Sequence, residues 1–367
     1  MAADLSIRFP PPDARSRIHL RRGALASLGT LTRRTLRPAR AAVVSDARVA
    51  RLYGRATLRS LARAGIEPDL VLVPRGERAK QSAVLARLWS RFAALGIGRR
   101  DAIVALGGGS IGDLAGFAAA SWLRGVNWIC VPTTLLAQVD SSVGGKTGID
   151  LRAGKNLVGA FHQPALVIAD PDTLRTLPAR QRRAGLAEVV KMGFAVDARL
   201  FRRLERDAAR LAAGDPAALL AATRAAIAAK ARIVRRDERE REGGVRTALN
   251  FGHTLGHAIE AALGYRGILH GEAIAIGMRA AARLSVREAG LPPAHAARLE
   301  ALLDRLRLPR TMPPLPLVRL HDAMRHDKKR AGTVRWVLTP RMGHASVPRP
   351  IHRRLVEAVM LAVGARR

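Results

Sequence analysis

Ala102-Ile103-Val104-Ala105-Leu106-Gly107-Gly108-Gly109-Ser110-Ile111-Gly112-Asp113 decides the fold of this 367-residue chain. Five apolar residues predict a buried strand, and the glycines at 107–112 satisfy Gly-x-Gly-x-x-Gly before a helical run through Trp122. Glycine there lets the backbone approach a ligand closely, and the amides opening the helix suit a pyrophosphate. The placement departs from the usual dinucleotide fingerprint, because this is the third strand and no acidic residue follows about 20 positions on. Asp46, which closes the first strand, is the better partner for a ribose hydroxyl and favours NAD over NADP. Its competing role is a helix N-cap.

Working outward, short apolar runs at 41–45, 70–73, 128–131 and 165–169 alternate with helical stretches. That alternation predicts a parallel sheet with polar residues gathered at the carboxyl ends of its strands. Beyond Leu177 the texture becomes helical, over 180–194, 198–213, 216–236, 247–263, 271–290 and 295–306. The expected architecture is an α/β, Rossmann-like nucleotide-binding domain over 1–177 and an all-α domain over 178–367.

No run of 18 apolar residues occurs. Met1 to Pro12 carries Asp4, Arg8 and three prolines where a signal peptide needs an apolar block, so a cytoplasmic protein without a membrane partner is expected. The single Cys130 excludes an intrachain disulfide. A net charge of +34 raises the question of nucleic acid, but the arginines are scattered and 4 Trp, 2 Tyr and 7 Phe leave little for base stacking. No specific nucleic-acid partner is expected. Within the 63 basic residues only seven are Lys: Lys80, Lys146, Lys155, Lys191, Lys230, Lys328 and Lys329. A chain that writes Arg wherever charge suffices keeps Lys where a compact ammonium is needed.

Three of the ten histidines lie between Asn250 and Glu272. His253 and His257, four apart, share one helix face, and His270 can return from the next element. One carboxylate would complete a three-donor metal site with an open position. Satisfied core histidines are the alternative. Glu188 and Lys191, three apart on an apolar helix, read either as a salt bridge or as that carboxylate beside a substrate contact. A Gly-rich polar segment from Val139 to Asn156 brings Asp140, Lys146, Lys155 and Asn156 together without forming a Walker A loop, and suits phosphate and hydroxyl groups.

These segments, with Gly76-Glu77-Arg78-Ala79-Lys80, Pro132-Thr133-Thr134, Gly185-Leu186-Ala187-Glu188, Asn250-Phe251-Gly252-His253-Thr254, His270-Gly271-Glu272 and Asp327-Lys328-Lys329, resemble the 3-dehydroquinate synthases over nearly the whole chain. The resemblance implies a sugar-phosphate cyclase that converts 3-deoxy-D-arabino-heptulosonate 7-phosphate to 3-dehydroquinate and phosphate. The implied route is transient oxidation by NAD, phosphate elimination, re-reduction and internal aldol closure. It implies zinc or cobalt on Glu188, His253 and His270. NAD is implied on Asp46, Glu77, Lys80, Gly109, Ser110, Ile111, Gly112, Asp113, Thr133, Thr134, Lys146, Lys155, Thr173, Leu174, Arg175 and Thr176. The anionic sugar acid phosphate is implied on Asp140, Lys146, Lys155, Asn156, Lys191, Lys230, Arg246, Asn250, His257 and Lys328, with Arg124 crossing a homodimer interface.

Two departures stand out. Met192 replaces a common tyrosine, and Asp237 to Arg246 runs about two residues long. A metal-dependent polyol dehydrogenase, a cyclase for another sugar phosphate and a nucleic-acid-binding relic of the same fold are the competing readings.

Overall fold

The structure, a computed structural model, describes residues 15–151, 153–241, 243–328, 334–346 and 348–367. The first half runs β1 (Arg17–Leu20), α1 (Leu28–Thr35), β2 (Arg40–Asp46), α2 (Ala47–Val49), α3 (Arg55–Arg63), β3 (Glu67–Val73), α4 (Ser82–Ala94), β4 (Ala102–Gly107), α5 (Gly109–Ser121), β5 (Asn127–Pro132), β6 (Lys146–Leu151), β7 (Gly154–Phe161) and β8 (Leu166–Ala169). Six of these strands form one sheet in the order β1-β8-β5-β4-β2-β3, with every pairing parallel.

The central strands are apolar throughout because both faces of the sheet are covered. Ile103 and Ala105 of β4 enter one core with Val84, Leu88 and Leu114, while Val104 and Leu106 enter the opposite core with Leu28 and Leu61. Register sets the site. Gly107 pairs with Pro132 and accepts a hydrogen bond from Thr133 N at 2.8 Å, and Val44 pairs with Ala105. Asp46, Gly108 and Thr133 therefore leave the sheet side by side at its carboxyl edge.

The helical half comprises α6 (Ala179–Ala195), α7 (Ala198–Ala213), α8 (Pro216–Arg236), α9 (His253–Ala262), α10 (His270–Glu288), α11 (Pro293–Arg305), α12 (Leu317–Lys328) and α13 (Arg353–Ala362). Two-residue strands β9 (Arg335–Trp336) and β10 (Arg349–Pro350) pair antiparallel within it. The small side chains along α10 are buried almost all round, which lets α6 and α9 pack closely on it. Met192 is fully buried in this core and packs as an apolar side chain.

Three expectations need correction. β1 precedes the strand read as the first, so Asp46 closes the second strand and the glycine turn follows the fourth. The helix expected over 247–263 is broken: Val245–Asn250 is a 3-10 turn, and α9 begins at His253 after Gly252, whose φ is 82°. A Cβ on Gly252 would lie 2.7 Å from Met278 N, so only glycine fits the bend. The Gly-rich segment read as a polar loop contains instead the antiparallel ribbon β6–β7, with Lys146 opposite Phe161 and the ribbon packed on α5.

Candidate active site

A cavity of about 300 Å³ opens at the carboxyl edge of the sheet. Its floor is Gly108, Gly109, Ser110 and Ile111 at the start of α5, flanked by Asp46, Thr133 and Thr134, with Thr176 and His270 on the helical side. Backbone amides at the head of α5 therefore face a space of nucleotide character. Asp46 does cap α2, its Oδ1 accepting from Arg48 N at 2.9 Å and Val49 N at 3.1 Å, while the residue also lines the cavity. Both of its foreseen roles are compatible.

The far end of the cavity meets α6 and α10, and α9 packs against α10 behind them. Gly271 opens α10 so tightly against α6 that a Cβ would lie 1.8 Å from Ala184 O, and this approach delivers His270 to Glu188. Glu188 is fully buried. Its Oε1 lies 3.6 Å from His253 Nε2 and 3.5 Å from His270 Nε2, and the donor atoms of the three residues all fall within 4.8 Å of one another. Ligands on a tetrahedral zinc stand about 3.3 Å apart, so these separations suit one shared ion better than direct hydrogen bonds. Neither Glu188 oxygen accepts a well-formed hydrogen bond, although Lys191 ion-pairs with Oε2. A fully buried carboxylate in that condition calls for a cation.

The second nitrogens of the histidines are also held. His270 Nδ1 lies 2.9 Å from Glu260 Oε2, and His253 Nδ1 lies 3.3 Å from Phe251 O, so both Nε2 atoms turn toward Glu188. Burial alone would raise the Glu188 pKa, but Lys191 and the two histidines hold it well below the usual carboxylate range. Burial and the Lys191 ammonium push His253 well down. Against the same burial, Glu188 and Glu260 push His270 up to about 10. The residues present thus fit a divalent ion, offering one anionic oxygen and two oriented imidazoles.

Ammonium groups line the neighbouring walls. Lys230 Nζ donates to Asp140 O and Asp140 Oδ1, each at 2.6 Å. Burial lowers its pKa against the pull of Asp140, whose own carboxyl is held down by Lys230 and Lys191 despite burial. Lys155 Nζ sits 3.4 Å from Glu77, 3.9 Å from Glu260 and 4.2 Å from the ring centre of Tyr265, linking the sheet edge to α9. Lys80 is buried among Asp113 at 3.0 Å, Asp150 at 3.4 Å and Glu77 at 3.8 Å, and it donates to Asn156 Oδ1. His257 follows His253 by one turn, its ring centre 6.0 Å from that of His270.

The expected residues divide accordingly. Glu188, His253 and His270 converge, with Lys191 and His257 beside them. Asp140 and Lys230 form one pair, and Lys146, Arg246 and Asn250 form another group through Glu238 and Glu240. Asp46, Gly109, Ser110, Ile111, Thr133, Thr134 and Thr176 line the cavity, whereas Glu77, Lys80, Gly112, Asp113, Lys146, Lys155, Thr173, Leu174 and Arg175 do not. Thr173 and Leu174 are buried, Thr173 bonding Asp170 O and Gln138.

Arg124 sits at the end of α5 in a left-handed turn (φ 68°), and among the described residues no ion pair or hydrogen bond joins it to the cluster. The Lys328 side chain and Lys329 lie outside the described residues. Glu260 and Glu240, which contact His270 and the Lys146–Asn250 pair, are absent from the sequence reading. Glu260 carried a signal, since it stands seven after His253 and three after His257 on the same helix face.

A glycine-turn cavity that reaches His270, one of three side chains placed to hold a metal ion, has the make-up of a nucleotide- and metal-dependent enzyme. Its residues 70–184 match the 3-dehydroquinate synthase N-terminal family model and residues 185–330 the C-terminal one. A 3-dehydroquinate synthase of Symbiobacterium thermophilum is 48% identical over 337 residues, 90% of this chain and 92% of that protein. Among solved structures, 2-epi-5-epi-valiolone synthase from Streptomyces hygroscopicus subsp. jinggangensis with NAD+ and Zn2+ bound superposes with a TM-score of 0.88 at 28% identity, covering 98% of this chain and 99% of that one. A 2-deoxy-scyllo-inosose synthase complexed with carbaglucose-6-phosphate, NAD+ and Co2+ gives 0.84 at 29% identity, over 94% and 95%. The chain belongs to the 3-dehydroquinate synthase family.

Proposed function

We propose that the protein converts 3-deoxy-D-arabino-heptulosonate 7-phosphate to 3-dehydroquinate and inorganic phosphate, using NAD that is restored in every cycle and a divalent ion, zinc or cobalt. The carrying observation is the single cavity that runs from Asp46 and the glycine turn to the metal donor His270. Bound there, ion and nicotinamide supply polarisation of a substrate hydroxyl and a reversible hydride acceptor.

The chain's own residues do the rest. Glu188, His253 and His270 hold the ion, and Glu260 fixes the orientation of His270. Lys191, in contact with Glu188, stands where negative charge develops on the substrate oxygen and stabilises it. His257 and Lys155 steady the charge formed as phosphate leaves, while Asn156, Lys146, Arg246, Asn250 and Lys230 hold the substrate's anionic and hydroxyl groups. A simple polyol carries no phosphate or carboxylate to match so many cationic side chains, which disfavours a polyol dehydrogenase.

The division at 177/178 gives an NAD-binding and a metal- and substrate-binding domain, joined at this cleft. A homodimer with Arg124 reaching the partner's site is part of the reading. Exposed Leu123 beside Arg124, and Leu151, Leu157, Val158 and Phe161 on the β6–β7 ribbon, offer apolar surface for it. A cytoplasmic location fits, and no described helix is long and apolar enough to cross a membrane.

The deciding assay supplies NAD, zinc and the sugar acid phosphate and follows phosphate and NADH together. Phosphate release without net NADH is expected. Accumulating NADH, or no phosphate, contradicts the reading, and turnover of a different sugar phosphate instead would assign a sister cyclase.

A further inference from the structure

Between the end of α8 and α9, residues 237–241 and 243–246 lie against the start of β6 and the turn before it. Asp237 holds them together, Oδ1 accepting from Arg241 N at 3.0 Å and Oδ2 from Arg246 N at 3.3 Å. Gln163 Nε2 donates to Glu238 at 2.9 Å, and Arg246 donates to the carbonyls of Glu238 and Gly144. Held this way, Glu240 points at two residues read above as substrate contacts. It ion-pairs with Lys146, and its Oε1 accepts from Asn250 Nδ2 at 2.9 Å.

The backbone of Glu240 has φ 52°, a left-handed conformation that a side chain resists. Its carboxyl pKa is opposed by burial but lowered by Lys146, Asn250 and Arg246, so the group is an anion at neutral pH. An anionic carboxylate on strained backbone therefore occupies hydrogen-bonding and charge positions suited to an external anion.

We propose that Glu240 is an internal stand-in for one anionic group of the substrate, a carboxylate or a phosphate. It holds Lys146 and Asn250 in binding geometry in the free protein and gives way when that group arrives. The inference rests on the reading of Lys146 and Asn250 as substrate residues. Its cost is a competition: a stand-in seated in about nine molecules of ten weakens apparent anion affinity about tenfold. Its gain is that the ammonium and the amide are already held in place when the anion arrives.

The test titrates the full-length protein calorimetrically with inorganic phosphate and, separately, with pyruvate. Glu240→Gln should bind at least one probe roughly tenfold more tightly than the unaltered chain, and the probe that gains identifies whether the site takes phosphate or carboxylate. Lys146→Met in the Glu240→Gln background should abolish the gain, which separates this site from the many other arginines. Glu240→Gly, which removes carboxylate and left-handed strain together, should reproduce the tighter binding if the glutamine variant folds poorly. Unchanged or weaker binding of both probes in both variants overturns the proposal, as does a gain that survives Lys146→Met. No turnover enters these titrations, so a failure of the cyclase assay would be seen separately.

Discussion

The two walls of the cleft are made of opposite materials. The sheet side offers mainly backbone amides, glycines and threonines at strand ends, with Asp46 among them, and sets Lys80 back in a pairing with Asp113 and Asp150. The helical side offers charged side chains at or near full burial: Glu188, Lys191, Lys230 and His253. A cofactor carrying its own charges needs a shaped, amide-rich surface. Polarising a hydroxyl and holding anions needs fixed charges out of water, where their fields are stronger. The first wall should tolerate changes of charge and fail on changes of volume, and the second should do the reverse.

The sharpest way to break that contrast is Glu188→Gln, which keeps volume and removes the buried charge. Removing one partner of a buried ion pair costs about 3–5 kcal/mol of stability. The variant should stay folded, melt at lower temperature, lose its metal by elemental analysis and lose turnover. Full activity would remove Glu188 from the donor set.

On the other wall, Gly109→Val keeps charge and adds volume where a Cβ already meets Ser141 Oγ at 3.1 Å. Overpacking of about 1–3 kcal/mol should weaken NAD roughly tenfold to a hundredfold while leaving metal content unchanged. NAD affinity equal to that of the parent would mean that the nucleotide lies elsewhere.

Glu260→Gln probes the orientation of His270. Loss of such a partner typically costs about 10–100-fold in metal affinity, measurable by competition with a chelator, with the NAD constant unmoved.

A control far from both walls should be smallest. Asp197 caps α7 through Arg199 N at 3.0 Å and Leu200 N at 3.2 Å, and pairs with Arg232 at 2.6 Å. Asp197→Ala should cost about 1 kcal/mol and leave KM alone. Burial opposes the Asp197 charge, but Arg232 and the two amides lower its pKa overall. The folded value thus lies below the unfolded one. The stabilisation is present above about pH 4 and fades as pH falls through the folded value, so the two proteins should converge in acid.

The same contrast governs what is legible in the sequence. Glycine at 107–112 and the apolar strand before it are local signals, and the sheet follows from them. His253 and His257 are legible through helical spacing, and Glu188 only through an acidic residue in apolar company. Gly252 is the missed local signal, because its left-handed φ breaks a helix that periodicity alone would continue. The β6–β7 ribbon is not legible, since its glycines and lysines have poor strand propensity and its pairing and packing on α5 supply the order. Glu260 is half legible through its spacing from His253 and His257, whereas Glu240 reads as an ordinary surface carboxylate until the fold brings Lys146 to it.

The central claim is that the nucleotide and the ion meet in one space. Crystals grown with NAD and zinc, examined by anomalous scattering at the zinc edge, test it most directly. The account predicts one strong peak about 2.0–2.2 Å from Glu188 oxygen and the Nε2 atoms of His253 and His270, with dinucleotide density running from Asp46 along the glycine turn and its nicotinamide end at the ion. A peak on other residues, or a nucleotide lying outside that cavity, would contradict it.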